Sequence, residues 1–79
     1  MNTLERLQNL LMKDYGLARE ALAADARLDK LDMDSLGLIE LWFQVEKEFG
    51  IEVPNEQPQL TTVGEVAAYI DSLSALQAS

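Results

Sequence analysis

The sequence contains no cysteine and no histidine. Without cysteine, a disulfide framework and a zinc–thiolate cluster are excluded, and without histidine the chain lacks the commonest general base and metal ligand. Together these two absences exclude a catalytic triad. We therefore expect a protein that is not an enzyme, with no catalytic residue.

Basic residues are scarce, and long apolar runs are absent. Six Lys and Arg stand against fourteen Asp and Glu, which gives a net charge of −8. Such a charge repels nucleic acid phosphates and anionic membrane surfaces, so the partners should be basic proteins. No apolar stretch approaches the ~20 residues that cross a bilayer, and no signal peptide follows Met1. We therefore expect a cytoplasmic protein that binds no nucleic acid and inserts into no membrane.

The length predicts one small domain. A chain of 79 residues removes only about 60% of its unfolded surface from water, which leaves little room for a deep preformed pocket. We expect residues 1–79 to form a single monomeric domain whose last residues, 77–79, are frayed.

Helical periodicity begins near the start of the chain. We predict a first helix over about Asn2–Tyr15, with a capping box made by Asn2 and Glu5 and a left-handed closing residue at Gly16. Its apolar stripe is structural. The stripe consists of Leu4, Leu7, Leu11 and Tyr15.

The end of the chain predicts a last helix and a short one before it. Thr62 and Glu65 have the spacing of a capping box, and Asn55–Gln59 can form a single helical turn. No strand pattern or internal repeat competes with helices, so the fold class is all-α. The buried stripe predicted for the last helix is Val63, Val66, Ala67, Ile70 and Leu73.

The most informative stretch is Leu31–Gly50, in which Ser35 stands where a second helix begins. This helix is predicted over about Ser35–Phe49 and ends at Gly50. The first N–H groups of a helix lack intrahelical partners and carry a partial positive charge. A phosphate attached to Ser35 would therefore meet hydrogen-bond donors. The alternative is that Asp34 or Ser35 only caps the helix.

The second helix is apolar on more than one face. Leu36, Ile39 and Phe43 lie off the core stripe, so we expect apolar surface to remain exposed beside Glu40 and other acids. The predicted core stripe is Leu38, Leu41, Trp42, Val45 and Phe49.

The tripeptide Asp34-Ser35-Leu36 at the head of this helix resembles the acyl carrier proteins, whose mark it is. The resemblance covers nearly the whole chain. It implies that Ser35 carries 4′-phosphopantetheine through a phosphodiester. The other matching positions are Leu31, Glu40, Leu41, Glu46, Glu48, Phe49, Gly50, Ile51, Pro54, Thr61, Thr62 and Val63.

The resemblance also implies a fold and a function. The fold is a bundle of three main helices plus one short helix, with a long loop over Leu17–Met33 despite strong local helix propensity. The function is to tether acyl groups as thioesters and to deliver them to fatty acid, polyketide or specialised lipid biosynthetic enzymes. The implied partners are a phosphopantetheinyl transferase and acyl-loading, condensing and modifying enzymes with basic docking surfaces.

The acids gather around Ser35. Between Asp25 and Glu52 there are eight acids and three bases. Acids at this position would steer basic partner surfaces. The expected partner-binding residues are Asp34, Leu36, Glu40, Phe43 and Glu46.

Several positions depart from the family pattern. Asp32 stands where members often have Gly, Gly37 stands where they often have Asp, and Lys47 interrupts a run of acids. The segment from Pro54 to Thr61 is about one residue shorter than in housekeeping members. These departures indicate a specialised carrier.

Other interpretations remain open at the level of sequence. A carrier of aminoacyl or peptidyl groups shares the bundle and the serine, and an unmodified acidic adaptor would need no serine chemistry. A calcium site is not expected. An EF-hand loop started at Asp32 fails, because Leu36 and Phe43 stand at positions that require ligands.

Overall fold

The computed structural model describes residues 2–31, 35–54 and 59–77, and of Ser35 it describes the backbone only. These ranges contain three α-helices, α1 (Thr3–Tyr15), α2 (Ser35–Phe49) and α3 (Val63–Gln77). The predicted all-α fold with three main helices is confirmed. The predicted short helix at Asn55–Gln59 falls almost wholly outside the described residues, so the helices described number three and not four.

Helix α1 is bounded by the residues that the sequence predicts. The Glu5 N–H donates to Oδ1 of Asn2 at 2.8 Å, which satisfies one of the unpaired donors of the first turn. At the other end Gly16 has a φ of 66°, a left-handed conformation that is nearly free of strain only for glycine. The predicted stripe lies toward the core, and Leu10 is buried beside it.

Helix α3 begins with a complete capping box. The Glu65 N–H donates to Oγ1 of Thr62 at 3.1 Å, and the Thr62 N–H donates back to Oε1 of Glu65 at 3.0 Å. The same carboxylate also accepts the Thr61 N–H. These bonds favour the ionised form, so the N–H groups of Thr61 and Thr62 lower the pKa of Glu65 from its ordinary value. The predicted stripe of α3 is buried throughout.

Between α1 and α2, residues 17–31 form a loop, as predicted, with two short 3₁₀ turns at Arg19–Ala21 and Leu28–Leu31. It is anchored by apolar side chains. Leu22 and Leu28 are buried, whereas Leu17 and Leu31 are partly buried against the core. Hydrophobic burial at irregular intervals therefore overrides the local helix propensity of its alanines.

The loop is also joined to the start of α3 by backbone hydrogen bonds, which we call the loop clamp. The first N–H groups of α3 have no hydrogen-bond acceptor within that helix, and they donate to carbonyls of the loop instead. An isolated bridge between Arg27 and Thr62 lies at the centre of the clamp. The bonds run from Leu28 N to Thr61 O (2.8 Å), from Val63 N to Ala26 O (2.9 Å) and from Gly64 N to Ala24 O (2.8 Å).

One apolar core joins the three helices and the loop. No polar or charged side chain is buried in it, among the residues described. Trp42 of α2, predicted to belong to the core, meets Tyr69 of α3 edge to face, with ring centroids 5.6 Å apart. None of the described helices has the length and apolar character needed to cross a membrane. The fully buried side chains are Leu7, Leu11, Leu22, Leu41, Val45, Val63, Val66 and Ile70.

Two polar side chains hold residues 52–53, which follow α2. Oε2 of Glu46 accepts the Val53 N–H at 2.9 Å. Gln77 accepts the Glu52 N–H at 2.8 Å and donates to the Glu52 carbonyl at 2.7 Å. Helix α3 therefore continues to Gln77, at the start of the tail predicted to fray, and residues 78–79 lie outside the description.

The loop clamp predicts that Gly64→Ala destabilises the protein. A Cβ at this position would lie 2.8 Å from the Ala24 carbonyl oxygen, which is backbone and cannot rotate away. We expect a loss of about 1–2 kcal/mol in the free energy of unfolding, measured by urea denaturation. Helix propensity alone predicts the opposite sign, a gain of about 0.5–1 kcal/mol. A gain would therefore contradict the close approach, and Ser72→Ala on the exposed side of α3 is the control.

The hydrogen bond that Val53 donates to Glu46 predicts that substitutions of two glutamates in α2 have different effects on stability. Glu46→Ala removes a charged acceptor from a partly buried N–H, so we expect a loss of about 1–2 kcal/mol in unfolding free energy. Glu40→Ala makes the same chemical change at an exposed position and should cost less than about 0.5 kcal/mol. Equal losses in urea denaturation would show that the Glu46 bond contributes nothing specific.

Candidate functional site

The candidate site is the start of α2. Ser35 is the first residue of this helix, which runs for 15 residues to Phe49, and Gly50 then adopts a φ of 65° that ends it. The predicted bounds of the helix are confirmed. Its first turn contains no acidic residue, so no carboxylate within that turn competes for the positive end of the helix dipole. The backbone at Ser35 is therefore suited to an attached anion.

The side of α2 next to Ser35 faces solvent. Leu36 is 64% exposed, Ile39 51% and Phe43 62%, and Glu40 is exposed among them. Spacings of three and four residues place these side chains on one face of a helix. We call Leu36, Ile39, Glu40 and Phe43 the exposed α2 face. The exposed apolar surface that the sequence predicts is confirmed.

The opposite side of α2 fixes how the helix is rotated. Leu41 and Val45 are fully buried, and Leu38, Trp42 and Phe49 pack against the core. A one-residue shift of the helix would move these side chains by about 100° and expose them. Core packing therefore holds the exposed α2 face outward.

The predicted partner-binding residues differ in their contacts. Leu36, Glu40 and Phe43 share the exposed α2 face. Glu46 follows Phe43 by three residues, and its carboxylate accepts the Val53 N–H. No sequence signal separates Glu46 from the other acids, because its acceptor role depends on where residues 51–53 pass. Asp34 lies outside the described residues.

A small cleft adjoins the exposed α2 face. It has a volume of about 220 Å³ and lies between α1 and α2, where Tyr15 and Asp14 face Glu40, Phe43 and Gln44. Burial raises the pKa of the Tyr15 hydroxyl above its ordinary value, and the negative charges of Glu40 and Asp14 raise it further. The cleft is therefore acidic and partly apolar. The sequence does not reveal it, because its shape depends on how α1 and α2 lie next to each other.

The described part of the chain contains no group of three acids that could hold a metal ion. Some of its acids take part in local contacts. Asp29, for example, forms an ion pair with Arg27 at 3.1 Å, and the hydrogen bond from Arg27 lowers the pKa of that carboxyl.

Comparison with known proteins gives a consistent assignment. Residues 5–70 match a family described as "Phosphopantetheine attachment site". The chain is also 31% identical over 71 residues to the acyl carrier protein of Streptococcus thermophilus (strain CNRZ 1066), an alignment that covers 90% of this chain and 95% of that protein.

The geometry is compatible with the group that this family carries. A phosphodiester at the first residue of α2 would lie at the positive end of a 15-residue helix, beside the 64% exposed Leu36. The chain has no cysteine that could compete with the thiol of the attached group. By sequence, fold and fit, this chain belongs to the acyl carrier protein family, whose cofactor is covalently attached 4′-phosphopantetheine.

Proposed function

We propose that Ser35 bears the 4′-phosphopantetheine arm, and that the chain carries acyl groups among enzymes of fatty acid, polyketide or specialised lipid biosynthesis. The observation that supports Ser35 most directly is its position as the first residue of α2, next to the exposed α2 face. The backbone at this position adjoins apolar side chains on which a modifying enzyme can dock.

The protein and the attached group have separate tasks in this proposal. The arm supplies a thiol that holds an acyl group as a thioester. The first N–H groups of α2 orient the phosphate, because they point along the helix axis toward it. The chain has no histidine to activate water against a thioester and no cysteine to accept the acyl group. The chain therefore lacks the two side chains that most readily attack a thioester or activate water against it.

The exposed α2 face supplies the docking surface for the partner enzymes. Leu36, Ile39 and Phe43 offer apolar contacts at the surface, and Glu40 stands among them with its charge in solvent. Small apolar anchors beside an exposed acid suit weak and transient contacts with basic surfaces. The partners proposed are a phosphopantetheinyl transferase and acyl-loading, condensing and modifying enzymes.

Loading with the arm tests the attachment residue. Incubation with coenzyme A and a phosphopantetheinyl transferase should add the mass of one phosphopantetheine to the chain, measured by intact-protein mass spectrometry. Ser35→Ala should abolish this gain, and Ser72→Ala on α3 should leave it unchanged. A gain that persists in Ser35→Ala would contradict the assignment, and no gain with several transferases would favour an unmodified acidic adaptor.

Charge reversal tests the docking surface. Glu40→Lys should slow the loading reaction in low salt, because an exposed acid in the interface steers a basic partner. We expect a reduction of about three- to tenfold in kcat/KM that shrinks as ionic strength rises. The control Glu20→Lys makes the same charge change on the exposed first 3₁₀ turn. If both variants have the same salt dependence, Glu40 is not in the interface.

A further inference from the structure

A larger groove lies farther along the gap between α1 and α2. It has a volume of about 710 Å³ and is lined by α1 side chains on one wall and by Gln44, Lys47 and Glu48 of α2 on the other. Gln44 and Asp14 also line the small acidic cleft, so the two depressions are continuous. The sign of the charge changes along this path.

The larger groove collects positive charge in an acidic protein. Arg6, Lys13 and Lys47 line it, which is half of the six bases in a chain of net charge −8. The acids that line it are Asp14 and Glu48. We call this depression the basic groove.

Arg6 is held in place at one end of the basic groove. Its guanidinium donates to the Glu48 carbonyl at 2.9 Å, lies 3.5 Å from the Glu48 carboxylate and stacks 4.3 Å from the centre of the Phe49 ring. These contacts neutralise Glu48 locally and give the groove an ordered wall.

Lys13 and Lys47, the two lysines of the basic groove, differ from Arg6 in their contacts. Lys13 and Lys47 are exposed, and neither forms an ion pair with any residue in the described ranges. Their ammonium groups are therefore available to carboxylates from outside the chain. Solubility of a protein with a net charge of −8 does not require two lysines to lie in one groove.

The basic groove is aligned with the exposed α2 face. Lys47 follows Leu36 by eleven residues and Phe43 by four, spacings that keep all three side chains on one side of a helix. It lies twelve residues beyond Ser35, or about 18 Å along the axis. A partner lying along α2 would therefore contact the apolar side chains and Glu40 near the start of the helix, and the positive charges of the basic groove near its end.

We propose that the basic groove is a second docking surface, which takes an acidic segment of a partner protein. Glutamate or aspartate side chains of that segment pair with Lys13 and Lys47, while the basic surface of the same partner meets Glu40. Two contacts of opposite sign fix one orientation of the partner on α2, because the reversed orientation would bring like charges together. The groove does not require a modified Ser35.

The test uses the full chain labelled with ¹⁵N and a short blocked peptide of alternating glutamate and alanine. In low salt, amide shifts on titration should be concentrated at Asn9, Lys13, Gln44 and Lys47. The double variant Lys13→Gln and Lys47→Gln should bind the peptide about fivefold more weakly. The matched variant Arg19→Gln and Lys30→Gln removes two exposed bases outside the groove and should bind as the parent does.

Equal weakening by both double variants, shifts located elsewhere, or equal binding of a peptide with glutamine in place of glutamate would overturn the proposal. Ser35→Ala serves to separate the two proposals, since it should bind the peptide unchanged while it cannot be loaded. Normal loading of Ser35 without peptide binding would refute the groove alone.

Discussion

Three backbone hydrogen bonds between the loop and the start of α3 hold the architecture on which the site depends. The described residues of the loop, 17–31, contain only short 3₁₀ turns, so most of their backbone has no regular partner within that range. The loop clamp gives it partners and at the same time satisfies the first N–H groups of α3. Leu22 and Leu28 then bury the loop against the core. The described part of the loop, as far as Leu31, is thereby fixed to the core and to the start of α3.

Helix α2 combines three properties that a carrier needs, and each belongs to a different part of its surface. Its first residue lies at the positive end of the dipole, its buried side is locked by Leu41 and Val45, and its outer face exposes Leu36 and Phe43. A rigid helix keeps these features at fixed positions relative to one another. The chain contains neither cysteine nor histidine.

The sequence predicts the helices and much of the site because these depend on local signals. Capping residues define the starts of α1 and α3, left-handed glycines end α1 and α2, and apolar periodicity separates the buried and exposed sides of α2. The loop clamp could not be predicted, since it pairs backbone groups far apart in sequence without a side-chain signature. The Glu46 bond and the basic groove also depend on how elements meet. The predicted contribution of Asp34 lies outside the described residues.

Native-state hydrogen exchange at Leu28 and Gly64 measures the loop clamp most directly. If the clamp is integral to the fold, these two amides exchange only through global unfolding, with the same protection free energy as Leu41 in the centre of α2. Much faster exchange at Leu28 and Gly64, with Leu41 still fully protected, would contradict the account. That result would mean that the loop opens independently and that the start of α2 is positioned without it.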